Sequence, residues 1–169
     1  MVRTKPLTWN KFAVKFNHHD NLPRSFQMLI VGPSGCGKTN LLFNMLLKPG
    51  FIDYNNLIVF SKTIDQPEYQ LLYHGFRNNL SKEDILLIFE NQDNFHDGIQ
   101  NICEEYALQK NLIQSVPNIE ITFSNKFSDI PDPKKLDISK KNLIIFDDCV
   151  DTKDQKVMES YYTRGRHNH

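Results

Sequence analysis

The chain has 169 residues, 40% hydrophobic and 24% charged, and its 20 basic side chains match its 20 acidic ones. That length suits one domain with a sizeable core, and the composition excludes a disordered chain. A net charge of zero argues against a basic nucleic-acid footprint over the whole molecule, though not against a local patch. No apolar run reaches membrane-span length, and the opening residues MVRTKPLTWNKF do not read as a signal core. Cys36, Cys103 and Cys149 are too widely spaced for a metal or redox motif and fit reduced thiols in a soluble intracellular protein.

In chain order, residues 11–16 (KFAVKF) alternate and predict a strand, which Asn21-Leu22-Pro23 breaks. The run FQMLIV, Phe26 to Val31, predicts a buried strand that enters a glycine-rich loop. Lys38 to Leu47 predict a helix, stopped by Lys48-Pro49-Gly50. Leu57 to Phe60 predict a second buried strand, Pro67 to His74 a short helix, and Ile85 to Phe89 a further strand. Phe95, Ile99, Ile102, Cys103 and Tyr106 keep the spacing of an amphipathic helix. Ile119, Ile121 and Phe123 alternate as in a half-exposed strand, and the polar stretch Ser124 to Lys141, with Pro131 and Pro133, predicts a loop. Leu143 to Phe146 predict a last buried strand, and Asp154 to Tyr162 a helix. This alternation predicts an α/β fold with a mainly parallel sheet.

The chemistry concentrates in the loop. Gly32, Pro33, Ser34, Gly35, Cys36, Gly37, Lys38 and Thr39 read GPSGCGKT and fit G-x-x-x-x-G-K-[ST], the P-loop or Walker A pattern. Glycines let the loop turn its N–H groups inward as an anion nest. The following helix adds unpaired N–H groups and the positive end of its dipole. Lys38 can reach the β- and γ-phosphates of ATP, and the Thr39 hydroxyl can ligate Mg²⁺. The alternative is a glycine-rich turn with an exposed lysine.

Residues 143–148 read LIIFDD, a buried strand that ends in acids as in a Walker B element. Asp147 would hold Mg²⁺, directly or through water, at the carboxyl edge of the sheet where ligands of open α/β folds bind. Asp148 could polarise the attacking water, which points to hydrolysis rather than binding alone. Arg164 and Arg166 lie in the basic end YYTRGRHNH. An arginine there could stabilise charge on a transferring phosphoryl group of a neighbouring subunit. It could equally be a solvated tail near a helix C-terminus.

Other positions read as structural. Cys36 fills a variable loop position and Cys149 reads as a small buried packer. His18-His19 read as a polar loop, and Trp9 and Phe12 as core. Ser61 and Lys62 follow a strand at the functional edge and could meet nucleotide or a neighbour. Lys134-Lys135 and Lys140-Lys141 could face DNA, but acids interrupt them and a solvated loop reads better.

GPSGCGKTNLL, LIVFSKTIDQPEYQ and LIIFDDCVD followed by YYTRGRH together resemble the DNA-packaging ATPases of large DNA viruses and virus-like transposons, within the FtsK–HerA superfamily of P-loop ATPases. FDDC followed by RGRH is the specific part, and Gly75 to Asp137 carry little of the likeness. The resemblance implies a three-layer RecA-like core over 26–169, behind an N-terminal strand and linker over 1–25. It implies hydrolysis of ATP with Mg²⁺ by a homo-oligomeric ring that drives double-stranded DNA into a capsid, at a viral assembly site or in a virion. Position for position, Lys38 and Thr39 carry the cradle roles, Asp147 the metal and Asp148 the catalytic acid. Arg164 or Arg166 matches the arginine that acts on a neighbour. Members of that family continue into another strand, beside the cradle strand, so the core reads as C-terminally truncated at His169. Two other functions compete: a nucleotide or small-molecule kinase, for which an arginine-rich lid is missing, and a non-catalytic nucleotide-binding remnant.

Overall fold

The computed structural model describes residues 22, 26–91, 98–112, 118–149 and 155–164. The predicted strand at 11–16 lies outside them, as do Trp9, Phe12, His18, His19, Phe95 and Arg166. The elements run α1 (Lys38–Leu47), β1 (Asn56–Ser61), α2 (Pro67–Arg77), α3 (Lys82–Asn91), α4 (Ile99–Gln109), β2 (Glu120–Ser124), β3 (Asn142–Asp147) and α5 (Gln155–Arg164). Two single 3-10 turns, Phe127–Asp129 and Pro133–Lys135, occupy the predicted loop between β2 and β3.

The three strands form one parallel sheet in the order β2-β1-β3. The α/β class and the parallel sheet follow from the same pattern in the sequence. β1 is central and buried from Leu57 to Ser61, as an uninterrupted apolar run in a parallel sheet requires. On the flanking β2, Ile121 and Phe123 are half-buried while Glu120 and Thr122 face water. α1 contributes Phe43, Leu46 and Leu47 to a single core that also holds Leu57 and Val59 of β1, Leu71 and Leu72 of α2, Cys103 of α4 and Ile145 of β3.

α2 begins with Pro67, whose missing N–H is no loss in a first turn, and carries Glu68 near its start and His74 and Arg77 near its end, as the dipole favours. Gly75 lies where α2 and α3 meet: a Cβ there would stand 2.6 Å from Ile85 Cγ1.

Two expectations are corrected. Ile85 to Phe89 lie in a helix, not a strand. Ser81 caps that helix, since its hydroxyl accepts from the Asp84 amide at 3.1 Å and its own amide donates to Asp84 Oδ2 at 3.2 Å. This reciprocal box supplies two orphan donors of the first turn with partners. The second correction is the run Phe26 to Val31, which joins no strand of the sheet among the described residues. Phe26 and Ile30 rest half-buried on the core, while Leu29 and Val31 are 79% and 81% exposed. A strand buried on both faces needs hydrogen-bonded neighbours, and this segment has none in the sheet.

Candidate functional site

The loop before α1 has the backbone its glycines foretell. Gly35 and Gly37 take φ of 76° and 85°, a region costly for residues with a Cβ. Gly32 sits so close to Cys36 that a Cβ would stand 2.5 Å from its Sγ. The Cys36 amide donates to the Pro33 carbonyl at 3.4 Å. Lys38 folds back over the loop and donates to the carbonyl oxygens of Gly32 and Pro33, both at 2.9 Å. Ser34 and Cys36 are exposed, and Thr39 is half-buried in the first turn of α1.

Gly37 is the N-cap of α1, no side chain caps that end, and its first turn contains no acid. The first amides of a helix have no intrahelical acceptors, so this end offers donors and a positive dipole without an internal carboxylate competing for them.

The acids sit at the carboxyl end of β3, where Asp147 is in register with Ser61 of β1. The Tyr69 phenol, from α2, donates to Asp147 Oδ2 at 2.6 Å. Burial, and then the Asp147 carboxylate, push that phenol far above its ordinary value, so it is a donor at neutral pH. Asp148 is exposed and turns through φ 54°. Asp tolerates this left-handed region better than most residues, but not without strain. The Cys149 thiol, half-buried rather than fully packed away, donates to the Asp147 carbonyl at 3.1 Å.

Ser61 is fully buried, and its Oγ accepts from the Thr63 amide at 3.1 Å. It therefore shapes the turn after β1, while Lys62 beside it is exposed. Arg164 is the last residue of α5. The Gln27 amide ties that helix to the segment before the loop by donating to the Tyr161 and Tyr162 carbonyls at 3.3 and 3.0 Å. The Tyr161 ring lies 5.4 Å from that of Phe146 on β3. In the polar loop, Lys140 bonds Glu120 at 2.7 Å and Lys141 pairs with Asp53, while Lys126, Lys134 and Lys135 are exposed.

Among the described residues, no hydrogen bond or ion pair joins Lys38 or Thr39 to Asp147 or Asp148. Nor do three or more His, Cys, Asp or Glu side chains gather as a metal cage among them. The donors that the sequence offers, the Asp147 carboxylate and the Thr39 hydroxyl, are few. Such a set fits Mg²⁺, which keeps several waters and is held by one or two carboxylates together with substrate phosphates. Among the described residues, no helix is long and apolar enough to cross a membrane.

Sequence reasoning gave Tyr69 no role. The helix that carries it was legible, but its bond reaches 78 positions along the chain to Asp147, which only the sheet topology reveals. No family model, curated protein or solved structure matches the chain.

Proposed function

We propose that the chain binds ATP with Mg²⁺ on the loop Gly32 to Thr39 and hydrolyses it. The observation that carries this reading is the loop's backbone: two left-handed glycines feed an uncapped helix start, with Lys38 bonded across the loop. Such a loop presents backbone N–H groups and one cation to a triphosphate. Lys38 would exchange its loop carbonyls for phosphate oxygens. Thr39 and Asp147 would hold Mg²⁺, which when bound neutralises charge on the β- and γ-phosphates. Asp148 would accept a proton from the attacking water.

The finer reading is a RecA-like motor subunit of the DNA-packaging type, in a homo-oligomeric ring on double-stranded DNA with capsid proteins as further partners. The resemblance of the loop, the LIIFDDCVD strand and the basic end supports it. In such a ring Arg164 or Arg166 would act on the neighbouring subunit's ATP.

One observation favours a second reading, a nucleotide-binding module without turnover. The segment leading into the loop pairs with no strand, and no bond links the loop to the acids among the described residues. ATP hydrolysis by the full chain with and without double-stranded DNA separates the two. Stimulated turnover that Lys38→Ala abolishes supports the motor. Binding without turnover supports the module, and phosphate transfer to a small acceptor would point to a kinase instead.

A further inference from the structure

Tyr69 is 1% exposed and lies in the first turn of α2, the helix that follows β1 at the carboxyl edge of the sheet. A buried phenol needs a hydrogen-bond partner. A backbone carbonyl would serve, as Leu46 does for the buried Tyr54 hydroxyl at 3.0 Å. Tyr69 instead donates to the carboxylate of Asp147.

Its ring is held edge-on to Phe123 of β2, with centroids 6.0 Å apart and planes at 83°. Phe123 in turn stacks on Tyr73, one helical turn further along α2, at 5.6 Å. The phenol oxygen is thus fixed by α2 and β2, while the acid it holds comes from β3. The described bonds of the Asp147 side chain occupy Oδ2 only. A carboxylate used by a metal is commonly held by just such an outer hydrogen bond, which stops its plane from rotating.

The geometry points to Tyr69 as the positioning residue for Asp147, its hydroxyl fixing the carboxylate so that Oδ1 is presented to a divalent cation bound with a nucleoside triphosphate. This rests on the nucleotide reading above. A phenol that merely completes the core would stabilise the fold equally well but would leave the metal dependence of nucleotide binding untouched.

The test uses the full chain and a fluorescent ATP analogue, titrated at rising MgCl₂ and in EDTA. It compares the wild type with Tyr69→Phe, Asp147→Asn, the double variant and Lys38→Ala, with folding followed by circular dichroism. Tyr69→Phe should bind the analogue in EDTA as the wild type does. The Mg²⁺ concentration giving half its enhancement should rise about tenfold, as loss of an outer-shell partner typically does. With Asp147→Asn already present, Tyr69→Phe should add nothing.

An unchanged Mg²⁺ midpoint in folded Tyr69→Phe overturns the proposal, as does an equal shift in both backgrounds. If Tyr69→Phe does not fold, Asp147→Asn decides, because its amide oxygen still accepts the phenol; a wild-type midpoint there overturns the proposal as well. Wild-type binding that Lys38→Ala leaves intact would sink the nucleotide reading itself, and Tyr69's role with it. Binding lost in Lys38→Ala with no shift in Tyr69→Phe would sink only the role of Tyr69.

Discussion

Asp148 combines exposure with a left-handed backbone, φ 54°. A non-glycine residue in that region is disfavoured by roughly 1–2 kcal/mol, less for Asp than for most. At a strained position of this kind the contribution of the side chain to folding and its proposed role in chemistry can be separated. Asp148→Gly separates the two roles. Thermal unfolding should show it about 0.5–1 kcal/mol more stable than the wild type, since glycine adopts this backbone without a Cβ clash. ATP hydrolysis should be lost while nucleotide binding persists. Turnover that survives in the glycine variant would remove Asp148 from the reaction.

The placement of most residues singled out was local and therefore legible. The glycines at 35 and 37, the lysine at 38 and the acid at 147 all follow from a pattern eight residues long and a strand that ends in acids. The partner of Ser61, the Thr63 amide, was not legible, because it lies in a turn whose shape the sequence does not display.

The elements themselves separate by how much of their signal is local. α1 spans Lys38–Leu47, as its periodicity and its stop at Lys48-Pro49-Gly50 predict. α3 was misread because a five-residue apolar run does not distinguish a strand from a buried helix segment. The deciding signal was present in Ser81-x-x-Asp84, which forms a capping box. Ser81→Ala should lower stability by about 1 kcal/mol, the usual consequence of losing an N-cap hydroxyl.

The same box has a pH dependence. Burial alone would push the Asp84 carboxyl up, but its bonds to Lys110 and Ser81 outweigh this and hold it below its ordinary value. A carboxyl depressed in the folded state contributes stability above its unfolded pKa, about 3.9. That contribution is lost as pH falls through the lower folded value. Chemical unfolding followed from pH 7 down to about pH 3 should therefore show a drop in stability below about pH 4 that is smaller in Asp84→Asn. Identical acid limbs in the two proteins would contradict this account of the α3 start.

At the scale of the molecule, the parallel sheet and its helices could be read from alternation, because each strand of β1 and β3 is a contiguous apolar run. The fate of Phe26 to Val31 could not. Its composition is that of a buried strand, yet burial depends on neighbours supplied by distant parts of the chain. Here Leu29 and Val31 remain open to water. The loop that follows is formed all the same, held by its glycines and by Lys38 rather than by a paired strand before it.

Whether that loop grips a triphosphate is the central claim, and calorimetric titration of the full chain with Mg²⁺·ATP tests it most directly. Lys38 would make charge-assisted bonds to phosphate, each contributing about 1.5–3 kcal/mol. Wild-type protein should therefore bind, and Lys38→Ala should bind roughly tenfold to a hundredfold more weakly with its fold intact. Equal affinity in the two proteins, or no binding by the wild type, would contradict the account.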